Sequence, residues 1–146
     1  MPKLSIFECD TCKGGFHFGW GGHDYVEDDE GNRIVCPHPQ EHQTIRKVLD
    51  LDNTGKFPKP KWWWSKKKKS DLRESIERFI AERTGFHSFC VCLDCKTGND
   101  LDLKKDQKIC PMCNSENIKT IIELVGEVCP LCGEGKIIER DTGAIS

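Results

Sequence analysis

Short stretches in which apolar and polar residues alternate predict several β-strands of only a few residues each. In the first third of the chain Phe16, Phe18 and Trp20 alternate, and a polar turn at 27–32 leads into a second strand at 33–35. Three further strands are predicted in the last third, at Leu101 and Leu103, at Ile118, Thr120 and Ile122, and at 136–139. This pattern favours short antiparallel hairpins.

Two segments have the spacing of amphipathic helices. From Gln40 to Leu49 the residues Ile45, Val48 and Leu49 follow a helical period. A second helix is predicted to begin at a cap formed by Ser70 or Asp71 and to end before Gly85. Its apolar residues fall on one face: Leu72, Ile76, Phe79 and Ile80. The chain is therefore predicted to be a small α+β protein with one or two amphipathic helices.

Composition indicates that this fold needs more than an apolar core. Of 146 residues, 36% are hydrophobic and 32% are charged, so side chains alone would build only a thin core. We therefore expect a metal-stapled fold, in which bound metal ions cross-link the chain. The N-terminus has no apolar run of signal length, and no stretch approaches the ~20 apolar residues of a membrane span. We therefore expect a cytoplasmic protein without a membrane span, whose ten cysteines are reduced.

Eight of these cysteines form four Cys-x-x-Cys pairs: Cys9/Cys12, Cys92/Cys95, Cys110/Cys113 and Cys129/Cys132. Two intervening residues allow a tight turn to aim both sulfurs at one ion, and two such turns complete a tetrahedron around zinc. A thioredoxin-like redox role would need a helix after the pair. Glycine, lysine or asparagine follows each pair instead, which favours metal binding.

The second half of the chain resembles the zinc-ribbon group, which includes rubredoxin-like knuckles. The resemblance covers roughly residues 89–140, and the Cys-Pro-x-Cys turn typical of the group is present at Cys110–Cys113. A partial repeat of this turn occurs nineteen residues later, at Cys129–Cys132. The resemblance implies metal bound on short hairpins, and the ligand pairs along the whole chain predict two or three Zn²⁺ ions. It implies no single activity, because zinc ribbons occur in transcription, translation and adaptor proteins.

The spacing leaves the pairing of these ligands open. The first alternative joins Cys92 and Cys95 to Cys110 and Cys113, and then His87 and Cys90 would complete a site with Cys129 and Cys132. The second joins Cys110 and Cys113 to Cys129 and Cys132, which groups His87, Cys90, Cys92 and Cys95. Cys90 could also be a plain buried thiol.

In the first half, Cys9, Cys12 and Cys36 offer three thiolates, and His42 or His38 is the expected fourth ligand. The predicted division of the chain is a Cys3His zinc module at 1–55, a basic Trp/Lys linker at 56–70, and a helix with the zinc-ribbon region at 71–146. The signatures of zinc deaminases and of His-Glu-x-x-His proteases are absent, so no catalysis is predicted.

The linker is the most distinctive segment without cysteine. Residues 56–69 carry seven lysines and no acid, and they surround three consecutive tryptophans. Indole rings stack on unpaired bases and lysines neutralise phosphates. This predicts single-stranded or structured nucleic acid as partner, bound by Trp62, Trp63, Trp64, Lys61, Lys66, Lys67, Lys68 and Lys69.

Three other roles remain open from the sequence. The tryptophans could pack against the zinc modules, with the lysines forming a solvated linker. The protein could be an adaptor within a larger protein complex, or a rubredoxin-like iron electron carrier. The acidic isoelectric point, near 6.2, argues against broad binding to duplex nucleic acid.

Overall fold

The structure is a computed structural model, and it describes residues 3–145. Its elements are β1 (Lys3–Cys9), β2 (Gly15–Gly19), β3 (Gly22–Glu27), β4 (Arg33–Cys36), α1 (Glu41–Val48), α2 (Lys66–Arg83), β5 (Thr84–Cys92), β6 (Gly98–Leu101), β7 (Ile118–Thr120), α3 (Ile121–Leu124) and β8 (Ile137–Ile145). The predicted small α+β architecture with short antiparallel strands is confirmed.

The chain packs into two compact units, and the second is inserted into the first. One unit combines residues 1–23 with residues 86–146, and the other consists of residues 24–85. The boundaries of these packing units differ from those of the predicted segments, which are 1–55, 56–70 and 71–146. The division into these three segments stays a prediction.

The first unit contains two ribbons of the same design. In one, β1 pairs with both β2 and β8, all antiparallel. In the other, β5 pairs with both β6 and β7, again antiparallel. Each ribbon therefore has a central strand that continues through a cysteine turn into its first neighbour, while its second neighbour comes from later in the chain.

The core of this unit is small and rich in cysteine. One cluster joins the side chains of both chain ends to those of α3, with Phe7, Ile121, Leu124 and Ile137 all at most 2% exposed. A second cluster packs Leu101 and Ile118 against cysteines of the β5 ribbon. So few buried apolar side chains support the expectation that cross-links must supplement the core.

The second unit contains the β3–β4 hairpin and both longer helices. Its buried residues are Tyr25, Val26, Cys36 and Leu49, and side chains of α1 and α2 pack around the last three. The hairpin turn at 27–32 is confirmed, since Asp28 accepts hydrogen bonds from the backbone N–H groups of Glu30 and Asn32. The first predicted helix is confirmed as α1.

Three predicted boundaries were wrong. Helix α2 begins at Lys66, because Ser65 caps it by accepting a hydrogen bond from the N–H of Lys68 at 3.1 Å. The strand at Ile118 ends at Thr120, whose side chain caps α3, so that Ile122 is helical. Strand β6 ends at Leu101 because Asp102 turns the chain by accepting from the N–H of Lys104.

The strand predicted on Phe16, Phe18 and Trp20 corresponds to β2, which ends at Gly19. The side chain of Phe18 lies outside the described residues.

Candidate metal centres

The first cluster of cysteines joins the two ends of the chain. Strand β1 ends at Cys9 and β8 begins at Ile137, and these two residues are register partners in the antiparallel pair. The turn after β1 therefore lies beside the turn that precedes β8. This brings Cys9 and Cys12 together with Cys129 and Cys132, which we call site A.

The second cluster arises in the same way within the second ribbon. Strand β5 ends at Cys92, which is the register partner of Ile118 at the start of β7. The turn after β5 therefore meets the turn before β7. Cys92 and Cys95 come together with Cys110 and Cys113, which we call site B.

Each site has the dimensions of a tetrahedral four-thiolate centre. In site A the Sγ atoms of Cys9 and Cys132 are 3.6 Å apart, and those of Cys12 and Cys129 are 4.0 Å apart. In site B the corresponding distances, Cys92 to Cys113 and Cys95 to Cys110, are both 3.5 Å. A metal–sulfur bond of ~2.3 Å implies a tetrahedral sulfur–sulfur edge of about 3.8 Å. The donor set and its spacing thus fit a bound metal ion.

All four turns share one backbone conformation. The residue after the second cysteine has a positive φ in every case: Lys13, Lys96, Asn114 and Gly133. The first cysteine of each turn donates its N–H to a carbonyl five or six residues later, at 2.7–3.1 Å. This conformation points both sulfurs to the same side. Backbone N–H groups of Thr11, Cys12 and Leu131 also donate to sulfur at 3.4 Å.

The electrostatics of site A favour a cation. The backbone N–H groups of Gly135 and Glu134 lower the pKa of Cys132 to about 6. The pKa of Cys12 is raised to about 11, because the neighbouring sulfurs and burial outweigh a stabilising backbone contact from Gly14. Several thiolates this close repel one another, so a divalent ion between them removes the cause of the raised pKa.

Neighbouring residues position the sulfurs of each site. In site B, Thr97 contacts Cys95 Sγ at 2.8 Å and Asn99 donates its amide N–H to Cys110 Sγ at 3.6 Å. In site A, the carboxylate of Asp10 accepts from the N–H of Lys136 at 3.0 Å, which ties the first turn to the chain beyond the second. Such contacts orient ligands and tune the metal.

In site A there is room only for glycine at position 135. A Cβ atom at this position would lie 2.5 Å from Cys9 Sγ and 2.6 Å from polar side-chain atoms of Asp10 and Thr11. No side chain can be accommodated there without moving a ligand. The sequence offered no signal for this requirement, because the contact joins residues more than 120 positions apart.

Four of the predicted ligands belong to neither cluster among residues 3–145: Cys36, His42, Cys90 and His87. Cys36 is 2% exposed and packs in the core of the second unit, where burial raises the pKa of its thiol. His42 is exposed. This differs from the predicted Cys3His module, because Cys129 and Cys132 complete the four ligands that Cys9 and Cys12 begin. His38, the alternative ligand, contacts the carboxylate of Glu41.

Cys90 and His87 likewise do not accompany Cys129 and Cys132. The Cys90 thiol is fully buried, burial raises its pKa, and it donates to the backbone carbonyl of Ser88 at 3.4 Å. His87 Nδ1 lies 3.2 Å from His23 Nε2. Of the alternatives left open by the spacing, the structure has Cys92, Cys95, Cys110 and Cys113 together and Cys90 as a buried thiol.

The tryptophan and lysine segment lies in the second unit. Trp62 is 87% exposed and Trp63 is 63% exposed, and their rings meet edge to face with centroids 5.7 Å apart. Trp64 is half-buried, and Lys68 Nζ lies 4.1 Å from the centroid of its ring. Lys66 to Lys69 form the first turn of α2.

No helix in the described part of the chain is both long and apolar enough to cross a membrane. The chain matches no protein-family model, and comparisons with curated proteins and with solved structures give no significant match. The functional feature of this chain is therefore its pair of four-cysteine clusters, which lie on ribbon-like turns and are placed to hold metal ions.

Proposed function

We propose that the protein is a zinc-stabilised module that binds single-stranded nucleic acid, with Zn²⁺ at both sites and the exposed Trp62–Trp63 pair as the contact surface. The exposure of these two indoles, beside a helix that begins with four lysines, is the observation that carries the proposal. Both ions serve folding, and the binding surface belongs to the inserted unit.

Zinc is the ion that suits the two sites best. Four thiolates in a tetrahedron saturate its coordination and leave no position for water or substrate, which is the arrangement of structural zinc. The same sulfurs would accept iron, and a rubredoxin-like site would be coloured and redox-active. Native mass spectrometry of the purified protein should give the mass of the chain plus two zinc ions. A coloured protein with one or two iron ions would refute the assignment.

The two exposed tryptophans support nucleic-acid binding, because it is energetically unfavourable to leave an indole ring in water. An indole presents a large apolar face, and such faces are normally buried or held for a partner. Trp62 and Trp63 are adjacent in the chain and both protrude. Stacking of a base on one aromatic ring contributes about 1–3 kcal/mol and tolerates any base. Two rings would hold two successive bases.

Positive charge supplies the second part of the surface. Lys66 to Lys69 occupy the first turn of α2, which contains no acidic residue. The positive end of the helix dipole lies at the same place, so the repulsion among these groups is relieved when an anion binds. Lys61 extends the basic surface, with its Nζ 6.0 Å from the centroid of the Trp63 ring. Phosphates of a flexible single strand could follow this turn while its bases stack.

Fluorescence anisotropy with labelled oligo-dT and oligo-rU tests the proposal. Trp62→Ala/Trp63→Ala should weaken binding at least tenfold at all salt concentrations, because stacking does not depend on salt. Lys66→Gln/Lys67→Gln should weaken it and reduce the slope of log K against log salt, because fewer counterions are released. The control Lys47→Gln/Lys104→Gln removes the same charge from two exposed lysines elsewhere. Equal binding by wild type and the tryptophan variant would refute the proposal.

An adaptor role is the second candidate, and a surface of the first unit favours it. Three large apolar side chains in the segment from α3 to the Cys129–Cys132 turn are more than half exposed: Ile122, Val128 and Leu131. Exposed apolar groups this close in sequence are typical of protein interaction sites. Capture of partners from lysate with and without nuclease separates the roles. Partners that survive nuclease and are lost on Val128→Asn/Leu131→Asn would support the adaptor role.

A further inference from the structure

The second unit contains a cavity that neither metal site nor the tryptophan surface explains. Its volume is about 560 Å³, and it lies between α1, α2 and the segment 57–60. Pockets for small molecules commonly measure ~300–1,000 Å³. The cavity belongs entirely to residues 24–85, a unit in which the described residues form no cysteine cluster.

The interior of the cavity is apolar. Leu72, Ile76 and Ile80 project from successive turns of α2, and Leu51 and Phe57 face them. All five side chains are only half-buried, although each is a strongly apolar group. Helix α2 in fact buries none of its residues fully. A ligand with an apolar body would remove this surface from water, which favours binding.

The rim of the cavity is positively charged. Lys59, Lys69 and Arg73 line it, and in the part of the chain that the structure describes none of them forms an ion pair. Arg46 also lines the cavity but is neutralised by its contact with Asp52. Glu77 is the remaining acid of the lining, so the rim has a net charge of +2.

We propose that this cavity is a binding site for a small amphiphilic anion, specifically an aliphatic carboxylate whose chain lies along Leu72, Ile76 and Ile80. Its carboxylate meets Lys69 and Arg73, which stand one helical turn apart on α2 and can contact the same anion. A cationic rim around an apolar interior is complementary to this class and disfavours both neutral sugars and amphiphilic cations. The proposal does not depend on nucleic-acid binding, and zinc occupancy of the first unit does not enter it.

Isothermal titration of the full-length protein with dodecanoate, below its micelle concentration, tests the site. One molecule should bind per chain, and dodecyltrimethylammonium, with the same tail and the opposite charge, should bind at least tenfold more weakly. Heteronuclear NMR should place the largest shifts at the backbone amides of 69–80. Absence of dodecanoate binding, or equal binding of both amphiphiles, would overturn the proposal.

A matched pair of variants separates the cavity from general surface charge. Lys69→Gln/Arg73→Gln should weaken dodecanoate binding about fivefold to tenfold, which corresponds to about 1–1.4 kcal/mol lost from the two charge contacts together. Lys47→Gln/Arg78→Gln removes the same charge from exposed positions of α1 and α2 that do not line the cavity, and should leave affinity unchanged. Circular dichroism verifies that both variants fold. Equal weakening by the two variants would assign binding to the helix surface and refute the site.

Discussion

Replacing Gly135 by alanine is expected to abolish site A while leaving site B intact. The added Cβ would lie 2.5 Å from Cys9 Sγ, whereas non-bonded carbon and sulfur atoms need more than ~3.4 Å. One of the two must therefore move by about 1 Å. Ligand distances in a zinc site tolerate only about ±0.2 Å, so this displacement exceeds the tolerance roughly fivefold.

The energetic consequence follows from what site A connects. Its ligands come from the turns at the two ends of the first unit, and the pairing of β1 with β8 lies directly beside them. Structural zinc contributes about 10–16 kcal/mol of apparent binding free energy in small zinc modules. Even a partial loss of this binding should lower the free energy of unfolding of the first unit by several kcal/mol.

Native mass spectrometry and thermal unfolding provide the assay. The Gly135→Ala variant should carry one zinc ion where the wild type carries two, and should unfold at a lower temperature. Gly15→Ala is the matched control, because a Cβ at Gly15 meets no atom within 4 Å. That variant should keep both ions. A Gly135→Ala protein with two ions and unchanged affinity would refute the close packing of Gly135 on Cys9.

Three further tests, made with five substitutions, address the ligand assignment and the local structure. Cys129→Ser should cost one zinc ion and Cys36→Ser none, as counted by native mass spectrometry; loss of an ion from the Cys36 variant would instead favour a Cys3His module. Ser65→Ala should lower stability by about 1 kcal/mol and helix content in circular dichroism, because Ser65 caps α2, whereas Ser70→Ala should not; the reverse order would place the cap at Ser70. Lys13→Gly should raise the melting temperature and add about 1 kcal/mol to the free energy of unfolding, with both ions retained, because Lys13 has a φ of 59° that strains a residue with a side chain. A lower melting temperature would mean that the Lys13 side chain contributes more stability than the backbone strain costs.

One ribbon lies within the other along the chain, so a metal ion at site A would close a much longer loop than one at site B. Site B joins turns separated by fourteen residues, but site A joins turns separated by 116, with the β5 ribbon and the whole second unit between them. Closing so long a loop has an entropic cost that grows slowly with length. A metal bond at site A can offset that cost and hold the chain ends together. Chelation should therefore release both chain ends.

The sequence by itself determined the four Cys-x-x-Cys turns that form the two clusters, but it also offered Cys36, His42, Cys90 and His87, which lie in neither cluster among residues 3–145. Two residues between cysteines are enough for a tight turn, and the repeat of Cys110–Cys113 at Cys129–Cys132 reflects the same position in two ribbons. Local periodicity also located α1 and most of α2. These features depend on neighbours within a few residues, which is the range in which backbone preference and side-chain spacing act.

Only the tertiary structure decided which turn meets which. Four thiolates are chemically equivalent to any other four, so spacing could not distinguish Cys36 from Cys129 as a partner of Cys9. The choice depends on the antiparallel pairing of β1 with β8, strands from opposite ends of the chain that bury Phe7 and Ile137 together. Tertiary packing also decides which side chains are buried. Cys36 and Cys90 become core thiols, whereas Trp62 and Trp63 stay exposed to solvent. Such outcomes arise from contacts between residues far apart in sequence, which no local pattern encodes.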